Sequence, residues 1–347
     1  MPQRFVHDSV GARVIFGAGR AVEVPAESRR LGHRLLSIAD EAGTEVAAPM
    51  LTELADELVG TIGEVRPHVP IEDAERARAL ARSVGADCLL AIGGGSTMGL
   101  AKAIAMTERL PIVAVPTTYA GSEMTPVWGL TADGVKRTGR DPIVAPRTIV
   151  YDPELTLSLP PALTAASGLN AVAHCVDALW APGRSPLTQI MAERGIAALV
   201  ASLPAAMRDG RDLRAREAAM VGAWLAGATF AIAGSSLHHK LCHMLGGKHD
   251  LPHAETHAVV LPWTTGLAIR HMPEAGRTVA RALGTDDPVA GLRALAAELG
   301  APTTLAELGL TPGHALAIAD EIDTDGLGAP FSVTREELHA VLAGAAG

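Results

Sequence analysis

Six of the thirteen histidines fall within residues 236–258, where their spacing could support metal binding or proton transfer. His239 and His243 are four residues apart, so in a helix both rings leave the same face. Imidazole changes charge close to neutral pH, and grouped imidazoles can ligate a divalent metal or transfer protons. The alternative for each ring is a histidine in a solvated loop, or a core histidine bonded to a backbone carbonyl.

The residues after His243 are expected to turn the chain back on itself. Gly246 and Gly247 can adopt the left-handed backbone that commonly ends a helix, and Pro252 favours a new segment that starts near His253. His253 would then approach the histidines of the preceding helix. Two or three imidazoles facing one small volume would form a site.

A glycine-rich stretch follows a predicted buried strand and is expected to bind a pyrophosphate. Glycines let the backbone approach a phosphate closely, and the free amides and positive end of the next helix attract the anion. The alternative is a simple tight turn, which needs one glycine or none. The spacing matches neither the dinucleotide pattern G-x-G-x-x-G nor the Walker pattern. The stretch consists of Gly93, Gly94, Gly95, Ser96 and Thr97, and a helix containing Lys102 follows.

Two further strand ends carry polar side chains that suit a dinucleotide. Asp40 follows a predicted strand at 34–39 and could accept hydrogen bonds from an adenosine ribose, while repelling the 2′-phosphate of NADPH. A helix N-cap is the equally favoured alternative for Asp40. After the strand that ends at Val115, hydroxyl groups could line the nicotinamide side of a dinucleotide, or form only a polar loop. These residues are Thr117, Thr118 and Ser122, with Tyr119 beside the threonines.

Composition limits the kinds of partner that the chain can have. Its 347 residues are 48% hydrophobic but 3% aromatic, with a net charge of −9 and a pI of about 5.8. The length favours two domains, and the negative charge disfavours nucleic-acid and anionic-membrane surfaces. Three widely spaced cysteines predict neither a disulfide framework nor a zinc knot. With no recognisable secretory signal, we expect a cytoplasmic protein.

One stretch, residues 218–237, is uncharged for long enough to span a bilayer. It is mostly alanine, glycine and serine, and three glycines interrupt it. Because an apolar helix in a large protein is usually part of the core, we expect a buried central helix.

Strand-like and helix-like segments alternate in the first half of the chain, which predicts a Rossmann-like domain with a parallel α/β sheet. Ligands bind such sheets at the carboxyl ends of the strands, where the glycine stretch, Asp40 and the threonine loop fall. The predicted strands are 13–16, 34–39, 63–69, 88–92, 111–115 and 148–151, and the predicted helices are 20–31, 46–59, 71–84 and 97–106. A hairpin is predicted at 128–141, with Asp133 and Gly134 at its turn.

Helical patterns dominate beyond this point, so we divide the chain into a dinucleotide-binding domain at 1–155 and an all-α domain at 156–347. One predicted helix would carry Asn170 and His174 on a single face, since they are four residues apart.

These motifs together resemble the iron-containing (group III) alcohol dehydrogenase family, in order, over nearly the whole chain. The resemblance implies a Rossmann-like N-terminal domain, a helical C-terminal domain, and a metal and substrate in the cleft between them. The family's metal ligands are an aspartate and a histidine four residues apart, followed by two histidines fourteen apart. The corresponding positions here, with the same spacing, are Asn170, His174, His239 and His253.

Three departures from the family pattern are informative. Asn170 stands in place of the aspartate and is a weak ligand for Fe²⁺ or Zn²⁺, which makes a bound metal doubtful. Gly99 replaces an aspartate common in the helix after the glycine stretch, and the loop with Tyr119 looks one residue shorter. With the stretches 118–131 and 167–174, these changes resemble the maleylacetate reductase branch of the family.

That branch implies reduction of the conjugated C=C bond of maleylacetate, a small dicarboxylate keto-acid, to 3-oxoadipate during the breakdown of aromatic compounds. We expect NADH as cofactor, with NADPH as a second option, and a homodimer. On this basis His239, His243 and His253, with His174, would bind the carboxylates and the developing enolate, and His243 would donate the proton. The residues expected to bind the substrate are Tyr119, Asn170 and Lys248, and His238, Lys240 and His249 are further cationic candidates.

Two other functions stay open. A metal-dependent alcohol dehydrogenase that tolerates Asn170 would contain bound metal and oxidise simple alcohols. A non-catalytic dinucleotide-binding sensor would bind NADH without turning over any unsaturated keto-acid.

Overall fold

The computed structural model describes residues 11–132, 135–249 and 251–347, except the side chains of 135, 136, 247, 248 and 325. The chain divides into two compact units. The first comprises residues 11–159 together with Arg211–Met220, and the second comprises Pro160–Gly210 and Val221–Gly347.

The first unit is built on a six-stranded parallel sheet with the strand order β1-β8-β5-β4-β2-β3. Its strands are β1 (Arg13–Phe16), β2 (Leu35–Ile38), β3 (Leu58–Ile62), β4 (Cys88–Gly93), β5 (Ile112–Pro116) and β8 (Thr148–Tyr151). Its helices are α1 (Val24–Arg29), α2 (Glu41–Glu53), α3 (Ile71–Ser83) and α4 (Gly95–Glu108). The predicted parallel α/β sheet is confirmed.

Continuous apolar runs form the central strands because both faces of the sheet are covered. Every residue of β2, β4 and β5 is buried, as expected for a parallel sheet. Pairing of Ile38 with Ala91 and of Gly93 with Pro116 brings the carboxyl ends of these three strands side by side. The sheet therefore juxtaposes the segments that follow these strands, as predicted.

The prediction was wrong for the third strand. β3 runs over Leu58–Ile62, where a helix at 46–59 was expected, and not over 63–69. The preceding helix, α2, starts earlier because Asp40 caps it, and ends at Glu53. Leu58 to Ile62 then pair with β2, so sheet pairing decides the strand position against the local apolar pattern.

The predicted hairpin is present as β6 (Val127–Ala132) and β7 (Val135–Arg140), which pair antiparallel. Its predicted turn residues, Asp133 and Gly134, lie outside the described part of the chain.

The second unit is helical. Its helices are α5 (Pro161–Ala178), α6 (Pro186–Arg208), α7 (Leu213–Ala233, which begins in the first unit), α8 (Leu237–His249), α9 (His253–His271), α10 (Pro273–Leu283), α11 (Pro288–Glu298), α12 (Pro312–Glu321) and α13 (Arg335–Ala346). A core that includes Leu241, Leu245, Val260 and Leu342 holds α8, α9 and α13 together. This agrees with the predicted all-α composition.

The expected buried helix over 218–237 is present as α7 up to Ala233, and only its last four residues fall outside that helix. α7 ends at Ala233, Gly234 adopts a left-handed φ of 78°, and α8 starts at Leu237 after a bend of 99°. Among the described helices, Pro186–Arg208 is long and apolar enough to cross a membrane, and the bent pair also passes if counted as one span. Helices of this kind are equally typical of a protein core.

The turn after His243 also differs from the prediction. α8 continues through Gly246 and Gly247 to His249, because Leu245 stays packed in the helical core. The next helix starts at His253 after Pro252, as expected.

Candidate active site

The glycine-rich stretch forms a tight connection between β4 and α4. Gly93 has a φ of 151°, and a Cβ atom there would lie 2.5 Å from Thr97 Oγ1. Gly94 is the N-cap of α4 and Gly95 its first residue, with Ser96 half-buried beside them. The free amides and the positive end of a fourteen-residue helix face this turn, so the turn suits an anion.

The threonine loop lies directly against this turn. The Thr117 amide donates a hydrogen bond to Gly93 O over 3.1 Å. A Cβ atom on Gly94 would lie 3.0 Å from Thr118 Cγ2, so a side chain there would have to push the Thr118 side chain aside. The predicted cofactor residues of β4 and β5 are thus brought together, although contact with a dinucleotide stays a prediction.

Lys102 fixes the far end of this loop, a role that the sequence did not suggest. It is 1% exposed, and its Nζ donates hydrogen bonds to Ser122 O (2.6 Å), Thr125 Oγ1 (2.9 Å) and Val127 O (2.9 Å). Burial lowers the pKa of Lys102 to about 7, against the opposing effect of nearby Glu123. Ser122 is therefore held through its backbone carbonyl by a buried amine.

Both tyrosines of the chain anchor buried segments of this unit. Tyr151 donates a 2.7 Å hydrogen bond to Glu123 Oε1, and burial raises the pKa of both groups. Tyr119 is fully buried, and its hydroxyl accepts a 3.2 Å bond from Arg216, which also donates to Leu159 O. This environment indicates that Tyr119 supports the loop, and its contact with substrate stays a prediction.

Asp40 caps α2. Its Oδ1 accepts a 2.8 Å hydrogen bond from the Gly43 amide, so the N-cap alternative is confirmed. A Cβ atom on Gly43 would lie 2.6 Å from Ile92 O, which shows how closely the start of α2 packs on β4. Asp40 thus follows β2 next to the glycine turn, while its ribose contact stays a prediction.

Gly99, where the family commonly has an aspartate, is explained by packing. A Cβ atom on Gly99 would lie 2.8 Å from Val69 Cγ2. Val69 is 5% exposed and adopts a left-handed φ of 49°. The apolar side chain therefore occupies the space that an aspartate would need.

Asn170 and His174 lie one turn apart on α5, as predicted, and are 5% and 7% exposed. Asn170 Oδ1 and His174 Nδ1 have no hydrogen-bond partner within the described structure. The ring of His174 stacks on His239 at 4.9 Å and lies 4.6 Å from the Phe230 ring. His174 on α5 therefore stands next to His239 of α8.

Asp177, which the sequence analysis missed, orients His239. Its Oδ2 accepts hydrogen bonds from His239 Nδ1 (2.9 Å) and the Ser236 amide (2.8 Å). Its Oδ1 accepts from Trp180 Nε1 (2.9 Å) and the His238 amide (3.3 Å). Asp177 is fully buried, so this carboxylate both caps α8 and leaves the His239 Nε2 atom turned away from it.

His238 and His257 form a second buried pair. His238 Nε2 is 2.9 Å from His257 Nδ1, and His238 Nδ1 is 3.0 Å from Thr264 Oγ1. All three residues are fully buried. His257 Nε2 has no hydrogen-bond partner among the described residues.

His243 and His253 complete the cluster, as the turn between α8 and α9 was predicted to allow. Their rings stack at 5.7 Å, and the His257 ring lies 4.5 Å from that of His253. Two groups of three histidines each have ring nitrogen atoms within 4.8 Å of one another. The groups are His238, His239 and His257, and His243, His253 and His257.

Burial makes most of this cluster uncharged at neutral pH. Desolvation lowers the pKa of His174, His239 and His257 well below its usual value, and lowers that of His238 to about 3. The expectation that His238 is cationic is therefore wrong. Among the other cationic candidates, Lys240 donates to Gly326 O, His249 is exposed, and the Lys248 side chain lies outside the described part.

A helical spacing signal could have revealed the missed residues. Asp177 is three residues after His174, and His257 is four after His253, so each shares a helix face with a predicted site residue.

A parallel sheet with a glycine turn that suits an anion, in one chain with a buried histidine cluster, is typical of a nicotinamide-dependent oxidoreductase. The family description "Iron-containing alcohol dehydrogenase" matches residues 11–153, and "Fe-containing alcohol dehydrogenase family, C-terminal" matches residues 164–346. The chain belongs to the iron-containing alcohol dehydrogenase family, whose fold binds NAD(H) and usually a metal.

Several relatives of known name are similar over almost their whole length. Maleylacetate reductase of Sphingobium indicum is 48% identical over 91% of this chain and 92% of its own. The crystal structure of maleylacetate reductase from a Rhizobium species is 41% identical, with a TM-score of 0.92 over 99% and 98% of the two chains. An iron-containing alcohol dehydrogenase from Corynebacterium glutamicum is 43% identical, with a TM-score of 0.91 over 100% and 98%.

Proposed function

We propose that the protein is a maleylacetate reductase, which uses a reduced nicotinamide cofactor to convert maleylacetate into 3-oxoadipate. The observation that carries the proposal is a cluster of buried histidines next to a neutral amide, Asn170, at the position of the family's acidic ligand. Relatives that bear this name and match nearly the whole chain support it.

NADH is the proposed cofactor, bound across the glycine turn with Thr117, Thr118 and Ser122 along it. The support is the negative charge of Asp40 beside this turn, which would accept hydrogen bonds from a ribose and repel a 2′-phosphate. NADPH as a second cofactor would require the enzyme to tolerate that repulsion.

The chemistry follows from the substrate. The alkene is conjugated to a ketone, so hydride delivered to the carbon β to the ketone places negative charge on an enolate oxygen. Preorganised hydrogen-bond donors can stabilise that charge. His243 and His253 would bind the carboxylates and the enolate, with Asn170 and His174 beside them. His239 would join them only in its protonated form, because its neutral ring gives its one N–H to Asp177. His243, the partly exposed member next to His253, would then pass a proton to the adjacent carbon.

The residues at the four family ligand positions do not fit a tightly held iron. Asn170 brings an uncharged amide oxygen in place of a carboxylate. In the described structure, His174, His239 and His253 do not form a group with ligand atoms within 4.8 Å of one another. The proposed reaction therefore uses no metal.

A steady-state assay of chelator-treated protein with maleylacetate and NADH tests the proposal. We expect NADH consumption to persist at the rate of untreated protein. Complete dependence on added Fe²⁺ or Zn²⁺ would refute the metal-free reaction, and no consumption under either condition would refute the substrate assignment.

The proton role of His243 has its own test. We expect His243→Ala to lower kcat by about 10²–10⁴-fold, the usual range for loss of a general acid, while NADH affinity stays near that of the parent enzyme. His314→Ala, which removes an exposed histidine of α12, is the control. An unchanged kcat in His243→Ala would exclude the proton role.

The second candidate is a metal-dependent alcohol dehydrogenase. Buried atoms without partners in the described structure, Asn170 Oδ1 and His239 Nε2, favour it, because a bound cation would satisfy them. It predicts metal in the purified protein, measured by elemental analysis, and NAD-dependent oxidation of simple alcohols.

A further inference from the structure

We propose that Thr264, His238 and His257 form a fixed hydrogen-bond chain that presents His257 as an acceptor to His243 and His253. His257, His238 and Thr264 would then be positioning residues for the proton donor of the reduction. The catalytic part of this inference rests on the proposed function, whereas the direction of the chain rests on geometry alone.

The chain is continuous and buried. Thr264 Oγ1 is 3.0 Å from His238 Nδ1, and His238 Nε2 is 2.9 Å from His257 Nδ1. Each of the three residues has an exposed fraction of 0%. Groups this deeply buried keep their hydrogen bonds, because a lost partner cannot be replaced by solvent.

The helix that carries Thr264 sets the direction of these bonds. Thr264 Oγ1 lies 3.2 Å from Val260 O and 3.1 Å from Leu261 O, and these carbonyls can only accept. We infer that the single hydroxyl proton is donated to one of these carbonyls, which leaves the oxygen to accept a hydrogen bond from His238 Nδ1.

The two imidazoles then have defined tautomers. An uncharged imidazole carries one N–H, so His238 donates through Nδ1 to Thr264 and accepts at Nε2. The proton between the two rings must then belong to His257 Nδ1. His257 Nε2 is left with a bare lone pair, buried and without a partner among the described residues.

His257 lies beside the proposed proton donors. One nitrogen each from His257, His243 and His253 lie within 4.8 Å of one another, and the His253 ring centroid is 4.5 Å from that of His257. A protonated imidazole that donates one N–H toward His257 keeps its second N–H for the substrate.

In the reduction, the C–H bond next to the ketone forms as that second N–H bond breaks. The electron pair stays on the nitrogen of the donor. His257 neither gains nor loses a proton, so its role is to orient the donor.

Thr264→Val tests the inference, because valine keeps the shape of threonine and removes the hydroxyl. We expect kcat for maleylacetate to fall about tenfold, the size of one lost buried hydrogen bond, with little change in NADH affinity. Thr264→Ser should restore the parent kcat. Thr265→Val is the matched control, since Thr265 is also fully buried but its hydroxyl has no partner within the described structure.

Nitrogen-15 NMR of the imidazoles gives a readout that does not need turnover, with resonances assigned through His238→Gln and His257→Gln. In the parent protein, both rings should carry the proton on Nδ1, and in Thr264→Val both should move it to Nε2. A parent His257 protonated on Nε2 would overturn the inference, whether or not Thr264→Val folds. Unchanged tautomers or an unchanged kcat in folded Thr264→Val would also overturn it.

The two proposals fail separately. If the parent protein does not reduce maleylacetate, the proposed function fails, and the tautomers still decide whether the chain exists. If the parent enzyme reduces maleylacetate but Thr264→Val matches Thr265→Val in kcat and tautomers, only this inference fails.

Discussion

Replacing Asp177 by asparagine should damage both the fold and the site. The carboxylate is fully buried and accepts four hydrogen bonds, two at each oxygen. Oδ2 accepts hydrogen bonds from His239 and the Ser236 amide, and Oδ1 accepts them from Trp180 and the His238 amide. An asparagine keeps one oxygen and places an NH₂ group opposite two donors, whichever way the amide is turned.

The magnitude follows from this count. A hydrogen bond to a charged group contributes about 1.5–3 kcal/mol, so losing two of them costs about 3–6 kcal/mol. That is a large fraction of the roughly 5–15 kcal/mol that separates most folded domains from their unfolded state. The His239 ring would also lose the partner that sets its tautomer, so kcat should fall even in the folded fraction.

Urea unfolding followed by circular dichroism measures the first effect, and NADH consumption with maleylacetate measures the second. Trp180→Phe is a partial control, because it removes one hydrogen bond at Oδ1 and leaves the bond to His239 in place. If the unfolding free energy of Asp177→Asn lies within about 1 kcal/mol of the parent value, the reasoning is refuted. Even one lost hydrogen bond to a charged group is expected to cost more than that.

Two further results are expected. Four buried histidines have a lower pKa in the folded than in the unfolded protein, so the unfolded chain binds more protons below pH 6.5. The free energy of unfolding should therefore fall as the pH drops below 6.5, by about 1.4 kcal/mol per pH unit for each histidine. For His238 this loss continues to about pH 3, and urea midpoints between pH 7.5 and 5 that do not move would contradict it. Gly94→Ala should weaken NADH binding at least tenfold in a fluorescence titration, because its Cβ would lie 3.0 Å from Thr118. Gly95→Ala, whose Cβ would lie 3.5 Å from its nearest neighbour, should bind NADH almost normally. Equal NADH affinities of the two variants would speak against a phosphate site at this turn.

Short-range patterns predicted much of the first unit. Apolar runs followed by glycine or hydroxyl residues gave five of the six strands of the sheet near their observed positions, and with them the adjacent ends of β2, β4 and β5. The strand at Leu58–Ile62 was misplaced because its position depends on pairing with β2, which the local pattern does not contain.

The sequence by itself determined which residues share a helix face: Asn170 with His174, and His239 with His243. The spacing of motifs along the chain also indicated the family, which the family models match. Only the tertiary structure decided the hydrogen-bond partners, such as Asp177 for His239 across 62 residues and His257 for His238 across 19. Helical periodicity fixes the direction in which a side chain leaves its own element, whereas burial and partners depend on how separate helices pack, and burial is what holds these imidazoles uncharged.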